Sequence, residues 1–421
     1  MSILGSATGG SGATMAMAVV SVELLMASPT LVGAVFVFAL GACVGSFLNV
    51  VAYRVPAGRS VVSPPSRCPS CGSRLRWHEN LPVLGWLILR GRCRRCRCSI
   101  SLVYPAMEVF TGLLFLALFL TLYTGGSTGL AASLGNAWWQ TLGFAGSWPG
   151  FVVVLTLFGC LVAATLIDAR TFLIPAAVTN VLGGTAVLGW GVQAMLPNTR
   201  WGVVVDGFPL SPLSPAMSIV VLGALLGLAV SIGLLWTGRM RRSFEDYEDF
   251  VEEGELIAEY PHARREMLRE IAFLAPAGVG AIIGLGVVTT AGASWQGSGE
   301  AQLWSVLAAV GLGWLVGGAL VWVVRILGTL AFGREAMGMG DVHLLAAIGA
   351  ALGWEDPIRI FFIAPFLALG WVLIGRVVSL LRRKPGKELP YGPHLAAATV
   401  VVWFGRPLVD WFESSVLLPP P

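Results

Sequence analysis

GFVVVLTLFGCLVAATLID, residues 150–168, is a run whose single charged residue is its last. As a helix it extends about 28 Å, close to the ~30 Å hydrocarbon core of a bilayer. It belongs to a longer tract, since no Asp, Glu, Lys or Arg lies between Glu108 and Asp168. An ionisable group at a membrane boundary costs free energy and usually marks function. Asp341 is placed in the mirror-image way: it closes Gly338-Met339-Gly340-Asp341 and opens another apolar run. If Asp168 and Asp341 meet in space, they form a carboxylate dyad able to share one proton.

The rest of the chain is consistent with a membrane setting. Of its 421 residues 56% are hydrophobic and 12% charged, against roughly 25% charged in soluble domains. A net charge of +4 gives no argument for nucleic acid. Apolar runs predict helices near 31–53, 105–123, 150–168, 176–196, 216–237, 271–291, 303–325, 342–354, 357–378 and 393–412. The fold class expected is an all-α polytopic membrane protein of about ten transmembrane helices with a small cytoplasmic zinc-binding loop domain. The run 342–354 is the shortest, at about 20 Å.

Charge orients this array. Ten arginines lie between Arg54 and Arg97, and further basic groups follow at Arg239, Arg241, Arg242 and at Arg382, Arg383, Lys384, Lys387. Basic loops tend to stay cytoplasmic. Setting 54–104 inside puts 169–175, 238–270, 326–341 and 379–392 inside too, along with both aspartates. The domains expected are a weakly apolar external tail (1–30), a first span (31–53), a cysteine-rich cytoplasmic domain (54–104) and a membrane domain (105–421). The last carries a charged insert at 238–270, and Glu245 to Glu270 holds ten of the 23 acidic residues. Phe244, Tyr247, Phe250, Val251 and Leu256 interrupt the insert at roughly helical spacing; a solvated face is the simpler reading, docking the sharper one.

Five of the seven cysteines fall in the arginine-rich loop, as Cys68-Pro-Ser-Cys71 and Cys93-Arg-Arg-Cys96-Arg-Cys98. Two C-x-x-C pairs about twenty residues apart read as a tetrahedral Zn²⁺ site with Cys68, Cys71, Cys93 and Cys96 as ligands. Four thiolates leave no open position, so the metal is structural. Paired disulfides are the alternative, disfavoured in the cytoplasm. Cys98 is a spare that either replaces Cys96 or stays free. In the first span, Gly41 and Gly45 form a G-x-x-x-G pair that admits a close helix neighbour, and Asn49 is placed to bond across helices.

In their order these segments resemble the bacterial type IV prepilin peptidases, or leader peptidase/N-methyltransferases. The resemblance rests on Gly45-Ser-Phe-Leu-Asn-Val50, Cys68-Pro-Ser-Cys71, Leu81-Pro-Val-Leu-Gly-Trp86, Cys93-Arg-Arg-Cys96 and Tyr104-Pro105 leading to Glu108. It continues through Asp168, Pro175, Gly338-Met-Gly340-Asp341 and Pro390-Tyr-Gly-Pro393. It covers most of residues 35–412. It implies a multi-pass aspartic protease of the bacterial inner membrane that cuts basic leaders from prepilins and pseudopilins at the cytoplasmic face. Asp168 and Asp341 match the catalytic pair. Many members then methylate the new N-terminus with S-adenosylmethionine, and the resemblance links Tyr104 and Glu108 to that step. Glu108 as a helix-end charge paired with an arginine is an equal reading.

Three departures from the family pattern stand out. His343 replaces a lysine two residues after the second aspartate, where a cation can tune the dyad when protonated. Ala176 follows Pro175 where members often carry Asp or Asn. The pair of spans 216–237 and 271–291 is additional to the usual eight. Gly338 and Gly340 are expected to give backbone freedom and to let a substrate peptide lie alongside, with His343 beside it. Pro390-Tyr-Gly-Pro393 reads as a turn, and His394 as serving locally. The competing classes are a peptidase without methyl transfer, a decayed assembly protein, and a transporter; a transporter would place its ionisable groups nearer the midplane.

Overall fold

The computed structural model describes residues 10–124, 137–200, 203–204, 208–250, 260–291, 299–382 and 390–417. Its regular structure is helical apart from one pair of two-residue strands, β1 (Thr199–Arg200) and β2 (Val203–Val204), paired antiparallel. The chain divides into two compact units, one made of 1–49 with 64–126, the other of 50–63 with 127–421.

The first unit contains most of α1 (Gly10–Arg54), the short α2 (Leu84–Ile88) and α3 (Val103–Tyr123). Helix α1 begins at Gly10, so the tail expected over 1–30 is largely helical. Between residues 13 and 27, nine of the fifteen residues are Ala, Met or Leu, all strong helix formers. Its membrane-compatible part is Thr30–Arg54, in agreement with the apolar run. Gly41 and Gly45 do admit a neighbour: a Cβ at Gly41 would lie 2.8 Å from the Thr111 carbonyl oxygen, and one at Gly45 2.8 Å from that of Met107. Asn49 does not bond across helices; its amide donates to the Gly45 carbonyl of its own helix at 3.2 Å.

The second unit runs through α4 (Ala137–Thr171), α5 (Ala176–Met195), α6 (Pro215–Trp236), α7 (Ala263–Ala291), α8 (Gly299–Phe332), α9 (Met339–Leu352), α10 (Glu355–Arg382), α11 (Gly392–Phe404) and α12 (Arg406–Phe412). Each expected helix is present as a helix. Seven among the described residues are long and apolar enough to cross a membrane, or up to eight if α11 and the following helix, bent by 85°, make one span. The expected count of ten is thus not reached by length and composition: α5, α9 and the bent α11–α12 pair fall outside the seven, and α9 shows why for one of them. It has 14 residues, and Val342 and every residue from Leu344 to Ala351 are buried. A helix apolar all round and wrapped by neighbours is a core element, so it need not match the bilayer thickness. Glycines let α8 approach it: Gly313 and Gly349 face one another with no room for a Cβ on either, and Gly317 abuts the Leu345 backbone. Trp190 of α5 donates its indole N–H to the Ala351 carbonyl at 3.0 Å, closing the layer over α9.

Candidate active site

Asp168 sits in the last turns of α4, 5% exposed. Its Oδ2 accepts the backbone N–H of Gly392 at 2.9 Å, across 224 residues of sequence. Asp341 sits in the first turn of α9, after the N-cap Gly338, and its N–H donates to the Gly338 carbonyl at 3.2 Å. The two carboxylates are linked through Ile174: it abuts Gly392, whose N–H holds Asp168, and also Gly340, the residue before Asp341.

Ile174 fills the space between these parts. A Cβ on Gly340 would lie 2.9 Å from the Ile174 Cβ, and one on Gly392 would lie 3.1 Å from its Cδ1 and 2.7 Å from Asp168 Oδ2. Glycine is therefore required at 340 and 392 by space. It is not required for backbone freedom: Gly338 has φ −71°, which any residue adopts, and neither Gly338 nor Gly340 has positive φ. The expectation of unusual backbone conformations here is corrected, and the close neighbour at Gly340 is the chain's own Ile174, not a substrate peptide.

His343 is exposed, two residues beyond Asp341. Two helical residues subtend about 200°, so the two side chains do not share a face. The cation tied to the stretch that leads into Asp341 is Arg325 of α8, which donates to the Met337 carbonyl. Sequence reasoning passed over Arg325, and it treated Pro390-Tyr-Gly-Pro393 as a mere turn. The available signal was a buried-looking arginine within an apolar run, and a glycine held between two prolines.

The cysteine-rich segment forms two matching knuckles. Cys68 N–H donates to Ser73 O (3.0 Å) and Gly72 N–H to Cys68 O (2.9 Å); likewise Cys93 N–H donates to Cys98 O (2.9 Å) and Arg97 N–H to Cys93 O (3.0 Å). Gly72 and Arg97 take the same positive φ, 68° and 60°. Four thiolates around Zn²⁺ at about 2.3 Å have tetrahedral edges near 3.8 Å. The sulfur separations are 3.8 Å for Cys68–Cys96, 3.9 Å for Cys71–Cys93 and 3.5 Å for Cys68–Cys98. Cys68, Cys93, Cys96 and Cys98 all lie within 4.8 Å of one another. The cluster is compatible with a zinc site, and it offers five sulfurs for four positions. The Cys96 and Arg95 backbone N–H groups pull the Cys93 thiol down to about 6 and the Ser73 hydroxyl lowers that of Cys71, while burial and the neighbouring sulfurs push the Cys68 and Cys96 thiols up. Glu79 braces the segment, accepting the Arg76 N–H at 2.8 Å and pairing with Arg94 at 2.6 Å.

Glu108 does not pair with an arginine. It is buried on α3, and its Oε2 accepts the Val83 N–H at 2.7 Å. Val83 is held at φ 61°, an uncommon conformation for a β-branched residue, with the Leu84 N–H turned back to Pro82 O at 2.6 Å. Tyr104, one turn earlier, is half exposed.

The sequence matches the Bacterial Peptidase A24 N-terminal domain over residues 39–122 and the Type IV leader peptidase family over 279–373. The first range contains the knuckles, Tyr104 and Glu108; the second contains Asp341. Among similar proteins, the prepilin leader peptidase/N-methyltransferase of Dickeya chrysanthemi is 28% identical over 384 residues, 85% of this chain and 88% of that one. The protein so named from Aeromonas hydrophila is 27% identical over 412 residues, covering 91% and 94%. That of Myxococcus xanthus (strain DK1622) is 62% identical over 84 residues, which is 20% of this chain and 25% of that protein. No solved structure matches the chain.

Proposed function

The chain belongs to the type IV leader peptidase family, and from that premise we propose that it removes the leader from prepilins and pseudopilins and methylates the N-terminus it exposes. What supports the peptidase half is that Asp168 and Asp341, from helices far apart in sequence, lie at helix ends that share Ile174 as a neighbour through Gly392 and Gly340. One carboxylate, ionised, takes a proton from water as that water attacks the scissile carbonyl. The other, protonated, donates to the carbonyl oxygen, and the pair titrates as a unit because like charges so placed do not both ionise cheaply. The Gly392 N–H fixes the lone pair that Asp168 presents. Gly338, whose nearest side-chain neighbour is the Asp341 carboxylate, borders the approach along which an extended substrate lies.

The protein is a multi-pass membrane protein, and the arginines between Arg54 and Arg97 favour the orientation with the dyad at the cytoplasmic face. Substrate then presents a basic segment in the cytoplasm and an apolar helix in the bilayer, with the cut at their junction.

For methyl transfer, S-adenosylmethionine supplies the methyl group. Glu108 supports this half: its Oε2 is held by the Val83 N–H, and a carboxylate so fixed offers a basic oxygen able to take a proton from an amine. Tyr104 is assigned to the same site. Cys68, Cys71, Cys93 and Cys96 would hold Zn²⁺, which with four thiolates would have a structural role, tying the two knuckles together. The test is intact mass and N-terminal fragmentation of a prepilin co-expressed with this chain. Leader loss with about 14 Da added to the new amine (one methylene) is expected, and neither Asp168→Asn nor Asp341→Asn should cut. An uncut prepilin with folded wild-type protein would sink the reading.

A further inference from the structure

The helix pair α6 and α7, with the charged segment between them, is additional to the usual family pattern, and nothing in the sequence assigns it a task. Its contacts do. Arg264, in the first turn of α7, donates from Nε to the Leu330 carbonyl at 2.9 Å and from its terminal nitrogen to the Ala331 carbonyl at 3.1 Å. It thereby satisfies two carbonyls at the C-terminal end of α8. Two turns later Glu270, 2% exposed, accepts the Arg325 Nε at 3.0 Å on one oxygen and the Trp322 indole N–H at 2.7 Å on the other. Arg325, itself 2% exposed, donates from its other side to the Glu335 carboxylate and to the Met337 carbonyl. The Phe244 ring, from the charged segment, lies 5.1 Å from the guanidinium carbon, and the Phe244 N–H donates to Glu266 Oε2 at 3.1 Å.

A buried guanidinium persists only when its charge and its donors are satisfied together. Here the satisfying groups come from both directions. Glu270 and Phe244 belong to the additional segment, whereas Glu335 and the Met337 carbonyl belong to the irregular stretch between α8 and α9. Met337 immediately precedes Gly338, the N-cap of α9, and stands four residues before Asp341. The stretch is further tied by the Ala336 N–H to Thr329 Oγ1 at 3.1 Å. A segment without a ladder of its own takes its position from such anchors.

We propose that Arg325 is a positioning residue for Asp341, and that Glu270 of the additional helix pair holds Arg325 in that role, which makes the pair part of the peptidase machinery. The inference rests on the dyad reading above and goes beyond it. Loss of the anchor misplaces Asp341 for the chemical step without removing a side chain that contacts substrate, so turnover falls while substrate affinity is kept.

The test uses the full chain in proteoliposomes with a purified prepilin. kcat and KM are measured for cleavage, and methyl transfer to an already cleaved pilin is measured in the same sample as a gauge of folded protein. Glu270→Gln and Arg325→Lys are each expected to lower the cleavage kcat tenfold or more, with KM and methyl transfer within twofold of wild type. Should the buried charge left by Glu270→Gln prevent folding, Phe244→Leu keeps the apolar volume, loses the ring over the guanidinium, and is expected to lower kcat severalfold with KM unchanged. Wild-type kcat in these variants, or equal losses of cleavage and methyl transfer, would overturn the proposal. A wild-type chain that leaves the prepilin uncut would overturn the dyad reading and this inference with it.

Discussion

Gly392 carries the sharpest prediction at the scale of single residues. A Cβ there would lie 2.7 Å from Asp168 Oδ2, closer than real Cβ contacts come, and the opposing atoms belong to a carboxylate held by the Gly392 N–H itself. Gly392→Ala should therefore lower peptidase turnover by about tenfold or more, the cost of about 1.4 kcal/mol in the transition state. Steady-state cleavage kinetics check this, with zinc content unchanged. Glu108→Gln should act in the opposite compartment of function. It keeps an acceptor for the Val83 N–H but loses the basic oxygen, so mass spectrometry should find processed pilin without the added methylene. Asp168 and Asp341 were legible in the sequence because charge at the end of an apolar run is expensive. The hold of Gly392 on Asp168 and the ties of Arg325 were not, because they lie in what these residues face across the fold.

Helix seams and knuckles are the elements on which the site is mounted. The Gly313–Gly349 seam leaves no room for a side chain, so Gly349→Val should force α8 and α9 apart at a cost of about 1–3 kcal/mol or more. Thermal unfolding in detergent measures that loss, and cleavage should fall with it because α9 carries Asp341. The knuckles support a separate expectation. Cys98 occupies in the second knuckle the place Ser73 occupies in the first, since their carbonyls accept the N–H of the first cysteine in each. Elemental analysis should thus find one zinc per chain in Cys98→Ser and none in Cys71→Ser or Cys93→Ser. Retention of zinc by Cys71→Ser would instead promote Cys98, whose sulfur is 3.5 Å from that of Cys68, to a ligand. The spacing of the pairs was enough to read a metal site, but it could not rank a fifth sulfur, because that depends on how two distant loops meet.

For the whole molecule, topology is the testable property. A cysteine introduced at Ser211, in an expected outer segment, should react with an impermeant maleimide in intact cells. One introduced at Ser63, in the arginine-rich segment, should react only after permeabilisation. The sequence by itself determined the class: apolar runs of membrane length, basic loops of one parity, two C-x-x-C pairs and two boundary aspartates. Those features are local, and the free energies behind them depend on composition along a short stretch of chain. The charged segment read more simply as a solvated face, yet Phe244, Phe250 and Tyr260 cluster and Phe244 covers Arg325. Val251 and Leu256 of that reading lie outside the described residues. Tertiary structure alone decided that α9 is a core helix and not a lipid-facing span, that Gly392 holds Asp168, and that Arg325 ties the additional helix pair to the stretch before Asp341. Each of those depends on burial and on hydrogen bonds between residues tens to hundreds apart in sequence, and such pairings exist only once the helices have packed.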